Sequence, residues 1–180
     1  MTTIIKSSLI YDGKIIKVEK KLIKLPDNRT VEWEYVDHPA AVGIIAVHED
    51  NILLVKQYRL GADKELLEIP AGLIEKDEDP LVCAMRELRE ETGYQASKFE
   101  FLGTYYLSPG YSNEVIHLFF ATDLVSNPLP QDEDEFIHLT MLPVSELYDF
   151  INPQKKISIS IDAKTALAIS LYAQKNSLKS

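Results

Sequence analysis

The sequence predicts an α/β fold, a mixed sheet sandwiched between helices and preceded by a β-rich arm. Three observations carry this class. Short alternating apolar runs broken by turn residues fill the first forty residues. Near-continuous apolar runs of strand length follow them, and helical spacing is confined to about residues 80–92, 144–151 and 162–175. The 180 residues suffice for one domain with a sizeable core, so residues 1–40 are expected to form the arm and 41–180 the core of that single domain.

Taken in order, residues 4–36 read as two or three strands joined by turns at "DGK" and "PDN". "AAVGIIAV" (40–47) and "ILLVKQYR" (52–59) flank "HEDN" and read as a hairpin of largely buried strands. "LLEIP" is a further short strand. Asp79 before Pro80 signals a helix start: the carboxylate accepts an orphan backbone N–H, and proline loses nothing at the first helical position. Gly93 is the matching stop. On this helix Leu81, Ala84, Met85 and Leu88 are expected to face the sheet, with Glu87, Glu90 and Glu91 together on another side. "FEFLGTYYL", "VIHLFFATDL" and "FIHLTML" are later strands. The last helix, "DAKTALAISLYAQK", has Asp162 as its expected cap and Ala163, Ala166, Leu167, Ser170 and Leu171 as its expected packing face.

The formal net charge is −9, and no stripe of Lys or Arg exists to neutralise a run of phosphates, so duplex DNA and an anionic bilayer are excluded as expected partners. An anionic substrate would need positive charge from elsewhere. The lone Cys83 rules out an internal disulfide, and without CxxC or His/Cys spacing no structural zinc site is expected. A reduced cytoplasm is the expected home, with neither a leader nor a membrane span in view.

Residues 72–94 read GLIEKDEDPLVCAMRELREETGY. An isolated "ExxE" is ordinarily a solvated face; the full spacing of Gly72, Glu78, Arg86, Glu87, Leu88, Glu90, Glu91, Gly93 and Tyr94 is more specific. It resembles the signature of the Nudix hydrolases, with Tyr94 where an aliphatic residue is commoner. The resemblance implies a Nudix-like α/β/α sandwich and metal-dependent attack of water on a diphosphate joining a nucleoside to another moiety. Carboxylate oxygens are the hard ligands Mg²⁺ prefers, and Mg²⁺, with Mn²⁺ or another divalent ion as the alternative, would supply the missing positive charge. By this resemblance Glu87 and Glu91 are the first-choice metal ligands, Glu90 a third and the Ala71 carbonyl a fourth. Arg86, grouped with the catalytic residues, is expected to pair with a carboxylate such as Glu68 or Glu90 and hold it in place, contact with substrate being the alternative. Glu78 either reaches this cluster or closes a loop salt bridge, and Cys83 is read as a small helix residue.

The flanks "KELLEIPAG" and "LSPGYSNE", Pro109 sixteen residues beyond Gly93, and "LPDNRTVEWEYVDHPAAVGIIAV" resemble the ADP-ribose pyrophosphatase branch of that family. This implies hydrolysis of ADP-ribose to AMP and ribose 5-phosphate by a homodimer whose N-terminal strands pair across subunits and help to build a nucleoside pocket. Another nucleoside diphosphate sugar such as GDP-mannose is the alternative substrate, and a non-catalytic ADP-ribose sensor is the alternative from a different class. Arg59, one of four arginines, ends a strand shortly before the motif and is the expected bidentate phosphate clamp. Trp33 is read as stacking on the base or buried in the sheet, with Tyr35, Tyr58 and Tyr111 as competing platforms. Pro109 belongs to the expected substrate loop, and Glu114 is read as touching substrate or a metal-bound water, or as structural. In the acidic run "QDEDE" the resemblance makes Glu133 and Glu135 candidates for the general base, with Glu135 preferred because it adjoins a strand that would anchor it. His38, His48, His117 and His138 lack ligand-like spacing and are read as structural or surface.

Overall fold

The computed structural model describes residues 1–130, 136–152 and 160–177. β1 (Thr3–Asp12), β2 (Lys17–Lys24) and β3 (Thr30–Asp37) form a three-stranded antiparallel sheet. Its turns fall at the residues with turn chemistry: the Gly13 N–H donates to the Ile16 carbonyl at 3.0 Å, and Asn28 takes a left-handed φ of 70°. The chain divides into two compact units, Met1–Ala40 with Tyr105–Ile116, and Ala41–Thr104 with His117–Ser180. Within the first, the Val36 N–H donates to the Tyr111 carbonyl at 2.7 Å, and Asn113 accepts the His38 N–H at 2.9 Å while its Nδ2 donates to Asp37 at 2.7 Å.

The second sheet has seven strands: β4 (Ala41–His48), β5 (Asn51–Arg59), β6 (Lys64–Glu68), β7 (Ala71–Leu73), β8 (Tyr94–Tyr106), β9 (Val115–Ser126) and β10 (His138–Pro143). The order is β10-β5-β4-β9-β8, with β6 added to β5 and β7 to β4. β4 lies near the middle, and its continuous apolar run is buried on both faces, as such runs demand. Val42, Ile44 and Ala46 pack with Cys83, Ala84 and Leu88 of α1 (Pro80–Thr92), while the intervening Ile45 is fully buried on the other face. A 3₁₀ turn at Val144–Glu146, α2 (Leu147–Ile151) and α3 (Ala163–Ser177) complete the described elements. Two boundaries differ from the sequence reading. β8 begins at Tyr94, directly after the helix stop, and β7 is a strand inside the motif.

In α3 the expected packing face is wrong. Ala163 is exposed, and the fully buried positions are Thr165, Ala168 and Ile169. The reason is polar: the buried Thr165 hydroxyl accepts the Ile69 backbone N–H at 3.0 Å, and satisfying that donor fixes the rotation of the helix. Asp162 does cap α3, its Oδ1 accepting the Thr165 N–H at 2.9 Å.

Candidate active site

The acidic helix is built from local signals. Asp79 Oδ1 accepts the N–H groups of Leu81 at 2.8 Å and Val82 at 3.3 Å, and Pro80 opens the first turn. Gly93 closes it with a φ of 75°, its N–H reaching the Arg89 carbonyl. Its buried side corrects the sequence reading. Cys83, Ala84, Glu87, Leu88, Glu91 and Thr92 are buried, whereas Leu81 and Met85 remain 37% and 41% exposed. Two carboxylates therefore sit on the side that faces the sheet. A helix face holds only a stripe of about 100°, and here its centre falls on small residues that allow close approach rather than on the larger apolar ones.

Room for Glu87 comes from Gly72 on β7. A Cβ there would lie 2.0 Å from the Glu87 carboxyl carbon, so any side chain would occupy the space the carboxylate fills. Glu91 is held from the same strand, its Oε2 accepting the Ala71 N–H at 2.9 Å.

Arg86 gathers the remaining acids. Its Nε and Nη2 donate to the two oxygens of Glu78 at 3.0 Å each, and its Nη1 donates to Glu87 at 2.6 Å and Glu90 at 2.9 Å. Nη2 also donates to the Leu73 carbonyl at 3.3 Å. This planar fork holds Glu78 at a pKa of about 2, and Glu78 in turn raises that of the guanidinium. Of the two partners expected for Arg86, Glu90 is present and Glu68 is not. Glu68 instead takes Arg59 in a two-bond fork, with Nε and Nη2 each at 2.8 Å, and also accepts from Lys164. Cys83 is buried, and burial pushes its thiol well above the ordinary range, which leaves it inert.

In the first unit Trp33, Tyr35, Pro109 and Tyr111 line a cavity of about 250 Å³, and Lys21 Nζ stands 3.0 Å from the Tyr35 ring centroid. Trp33 is 51% exposed, so it is not buried in the sheet. Glu114 lies 3.8 Å from His38 Nδ1, and its backbone N–H is capped by Ser112. His117 bonds Thr104 at 2.8 Å and His48 packs on Tyr94 at 4.9 Å. Glu133 and Glu135 lie outside the described residues.

Residues 37–161 match the family model described as the NUDIX domain. The chain belongs to the Nudix family. It is 40% identical over 178 residues to the methanol dehydrogenase activator of Bacillus methanolicus, covering 97% of this chain and 94% of that one. To the ADP-ribose pyrophosphatase of Bacillus subtilis (strain 168) it is 36% identical over 173 residues, covering 94% and 91%. A crystal structure of an ADP compounds hydrolase superposes with a TM-score of 0.86 at 24% identity, covering 99% of this chain and 95% of that chain. That likeness establishes the fold as a Nudix-like mixed sheet with helices.

Nudix hydrolases generally use a divalent metal. The donor chemistry here fits one: Glu87, Glu90 and Glu91 offer only hard oxygen ligands, and the Gly72 cradle keeps a side chain from displacing Glu87. Among the described residues no three acidic, imidazole or thiol groups converge as a preassembled metal cluster, the glutamates being engaged instead by Arg86 and the Ala71 N–H. A hard divalent cation can be held by one or two carboxylates, which these residues can supply, together with water. The residue that sequence reading missed is Lys164, which comes to Glu68 from 96 positions away with no local signal and also donates to Asp162.

Proposed function

We propose that this Nudix hydrolase cleaves the diphosphate of ADP-ribose to AMP and ribose 5-phosphate with Mg²⁺. The observation that carries the reading is the pair of buried carboxylates, Glu87 and Glu91, set against Gly72 and Ala71 on β7. The 36% identity to a protein named ADP-ribose pyrophosphatase supplies the substrate class.

Bound divalent metal supplies Lewis-acid neutralisation of the diphosphate and a more acidic water. Glu87, Glu91, Glu90 and the Ala71 carbonyl are its proposed ligands. Arg86 holds Glu87 and Glu90 in place through its fork and does not itself meet substrate. Arg59, 41% exposed beyond its Glu68 pairing, presents the phosphate-binding cation. Glu135, with Glu133 as the alternative, takes the proton of the attacking water, and Glu114 contacts substrate. The aromatic cavity containing Trp33, Pro109 and Tyr111 offers stacking surface for a base.

The active form is proposed to be a cytoplasmic homodimer with no nucleic-acid partner. Its support is β1, an edge strand that leaves Ile4, Ile5, Leu9 and Ile10 more than half exposed. Among the described residues no helix is long and apolar enough to cross a membrane.

The 40% identity to a protein named methanol dehydrogenase activator favours a second reading, in which the same site serves to activate a dehydrogenase. Turnover on a panel of ADP-ribose, GDP-mannose and other nucleotide sugars tests the first reading. Faster oxidation by a methanol dehydrogenase on adding the wild type, but not Glu91→Gln, would establish the second.

A further inference from the structure

The strand that leads into the motif is pinned by the start of the last helix. The Leu67 N–H donates to the Ser160 carbonyl at 3.0 Å, the Ile69 N–H to the Thr165 hydroxyl at 3.0 Å, and between them Glu68 accepts from Lys164. Lys164 also donates to Asp162. The result is a chain of alternating charge: Arg59, Glu68, Lys164, Asp162.

Exposure separates the members of this chain. The side chain of Glu68 is 1% exposed and that of Lys164 is 12%, against 41% for Arg59. Only the guanidinium end is open enough to receive a ligand. Both cations share Glu68 Oε2, and Arg59 Nε takes Oε1. Burial alone would push the Glu68 carboxyl up, but the Arg59 hydrogen bonds and Lys164 together hold it below its ordinary value, so it stays ionised. Glu68 in turn raises the pKa of Arg59, with Glu91 and Asp162 adding in the same direction.

Two cations and two carboxylates make the chain neutral as built. Without Lys164, Arg59 would face one buried carboxylate and a second acid, and the cluster would carry one net negative charge where a diphosphate is to bind. Without the Asp162 carboxylate the cluster would carry one net positive charge.

We propose that Lys164 is a positioning and charge-setting residue for diphosphate binding: by competing for Glu68 Oε2 it compensates the buried carboxylate and weakens its hold on the forked Arg59, so that the guanidinium can turn to the substrate. Asp162 opposes it. This rests on the reading that Arg59 clamps the diphosphate.

The test compares KM and kcat for ADP-ribose hydrolysis at saturating Mg²⁺ in wild type, Arg59→Gln, Lys164→Met, the Arg59→Gln/Lys164→Met pair, Lys164→Arg and Asp162→Ser. Serine keeps a hydroxyl to cap α3 while removing the charge. Lys164→Met is expected to raise KM by about tenfold with a much smaller change in kcat, the usual order for loss of an orienting partner. Lys164→Arg should restore it, and in the Arg59→Gln background Lys164→Met should add nothing, because it acts through Arg59. Asp162→Ser should lower KM. A merely structural role would move thermal stability without opposite shifts in KM. If Lys164→Met adds its full effect to Arg59→Gln, or if Lys164→Met and Asp162→Ser shift KM in the same direction, the inference falls while the clamp stands. If Lys164→Met does not fold, the sign of the Asp162→Ser shift decides, and a raised or unchanged KM overturns the inference. An Arg59→Gln enzyme with unchanged KM would remove the clamp and this inference together, and a wild type inert toward ADP-ribose would remove the functional reading itself.

Discussion

Replacing Gly72 with alanine tests whether Glu87 is held where it sits for a chemical reason. The backbone tolerates the change, since Gly72 is a strand residue outside the left-handed region. The new Cβ would meet Glu87 Cδ and Oε1 at 2.0 Å and Oε2 at 2.3 Å. Non-bonded carbon atoms settle at about 3.5–4.0 Å, so the carboxylate must retreat by roughly 1.5 Å. Glu87 has rotatable bonds to absorb that displacement, and the strand does not need to move. The 2.6 Å bond from Arg86 Nη1 would stretch beyond hydrogen-bonding range, and the carboxylate would leave the place from which it is proposed to hold metal. A misplacement of about 1 Å costs on the order of 10²-fold in rate, and losing one electrostatic contributor about 10² to 10³. Gly72→Ala is therefore expected to lower kcat by about two orders of magnitude at saturating Mg²⁺ while shifting Tm by only about 2–4 °C, the amount that roughly 1 kcal/mol produces in a chain of this size. AMP release read against a thermal melt measures both. A variant that keeps kcat within threefold of wild type would show that this carboxylate position does not matter to the chemistry.

Further outcomes concern the base, the Arg86 fork and the arm. Glu135→Gln should lower kcat strongly with little change in KM, and Glu133→Gln should be mild; the reverse pattern transfers the role, and two mild effects remove it from both. Glu78 titrates at about 2 in the folded protein, below its ordinary 4.5, because Arg86 holds it ionised. Its contribution to stability is thus full above about pH 4.5 and lost as pH falls towards about 2. Urea unfolding at pH 6 and pH 3 should show a larger loss for wild type than for Glu78→Gln, and equal losses would contradict the assignment. Light scattering at assay concentration should report twice the 20.4 kDa chain mass, and a monomeric particle would remove the dimer.

What was legible in the sequence was local. The bounds of α1 follow from Asp79, Pro80 and Gly93, whose capping chemistry acts within four residues, and the structure places them at Pro80–Thr92. Family membership follows from fixed spacing within 23 residues, and the motif lies inside the matched span. Rotation of the helices was not legible, because partners distant in sequence decide it. Leu81 and Met85 look like core, yet the strand across from α1 carries a glycine that makes room for a glutamate. In α3 the buried stripe turns on Thr165, which answers a backbone donor 96 positions earlier. Arg86 illustrates both sides: Glu90, one helical turn away, was readable as its partner, whereas Glu68 was not readable as already engaged by Arg59 and Lys164. β8 escaped at its start because "YQASK" alternates too weakly to announce a strand.

The central claim is metal-dependent cleavage of ADP-ribose by the carboxylates of α1. Its most direct test is AMP release from ADP-ribose with Mg²⁺, for wild type and Glu91→Gln, with and without chelator, beside GDP-mannose as competitor substrate. The account predicts AMP and ribose 5-phosphate from wild type, loss of that activity with chelator, and a fall of about 10² to 10³ in Glu91→Gln with the fold intact. Near wild-type turnover by Glu91→Gln at saturating Mg²⁺, or release of GMP from GDP-mannose with ADP-ribose left intact, would contradict it.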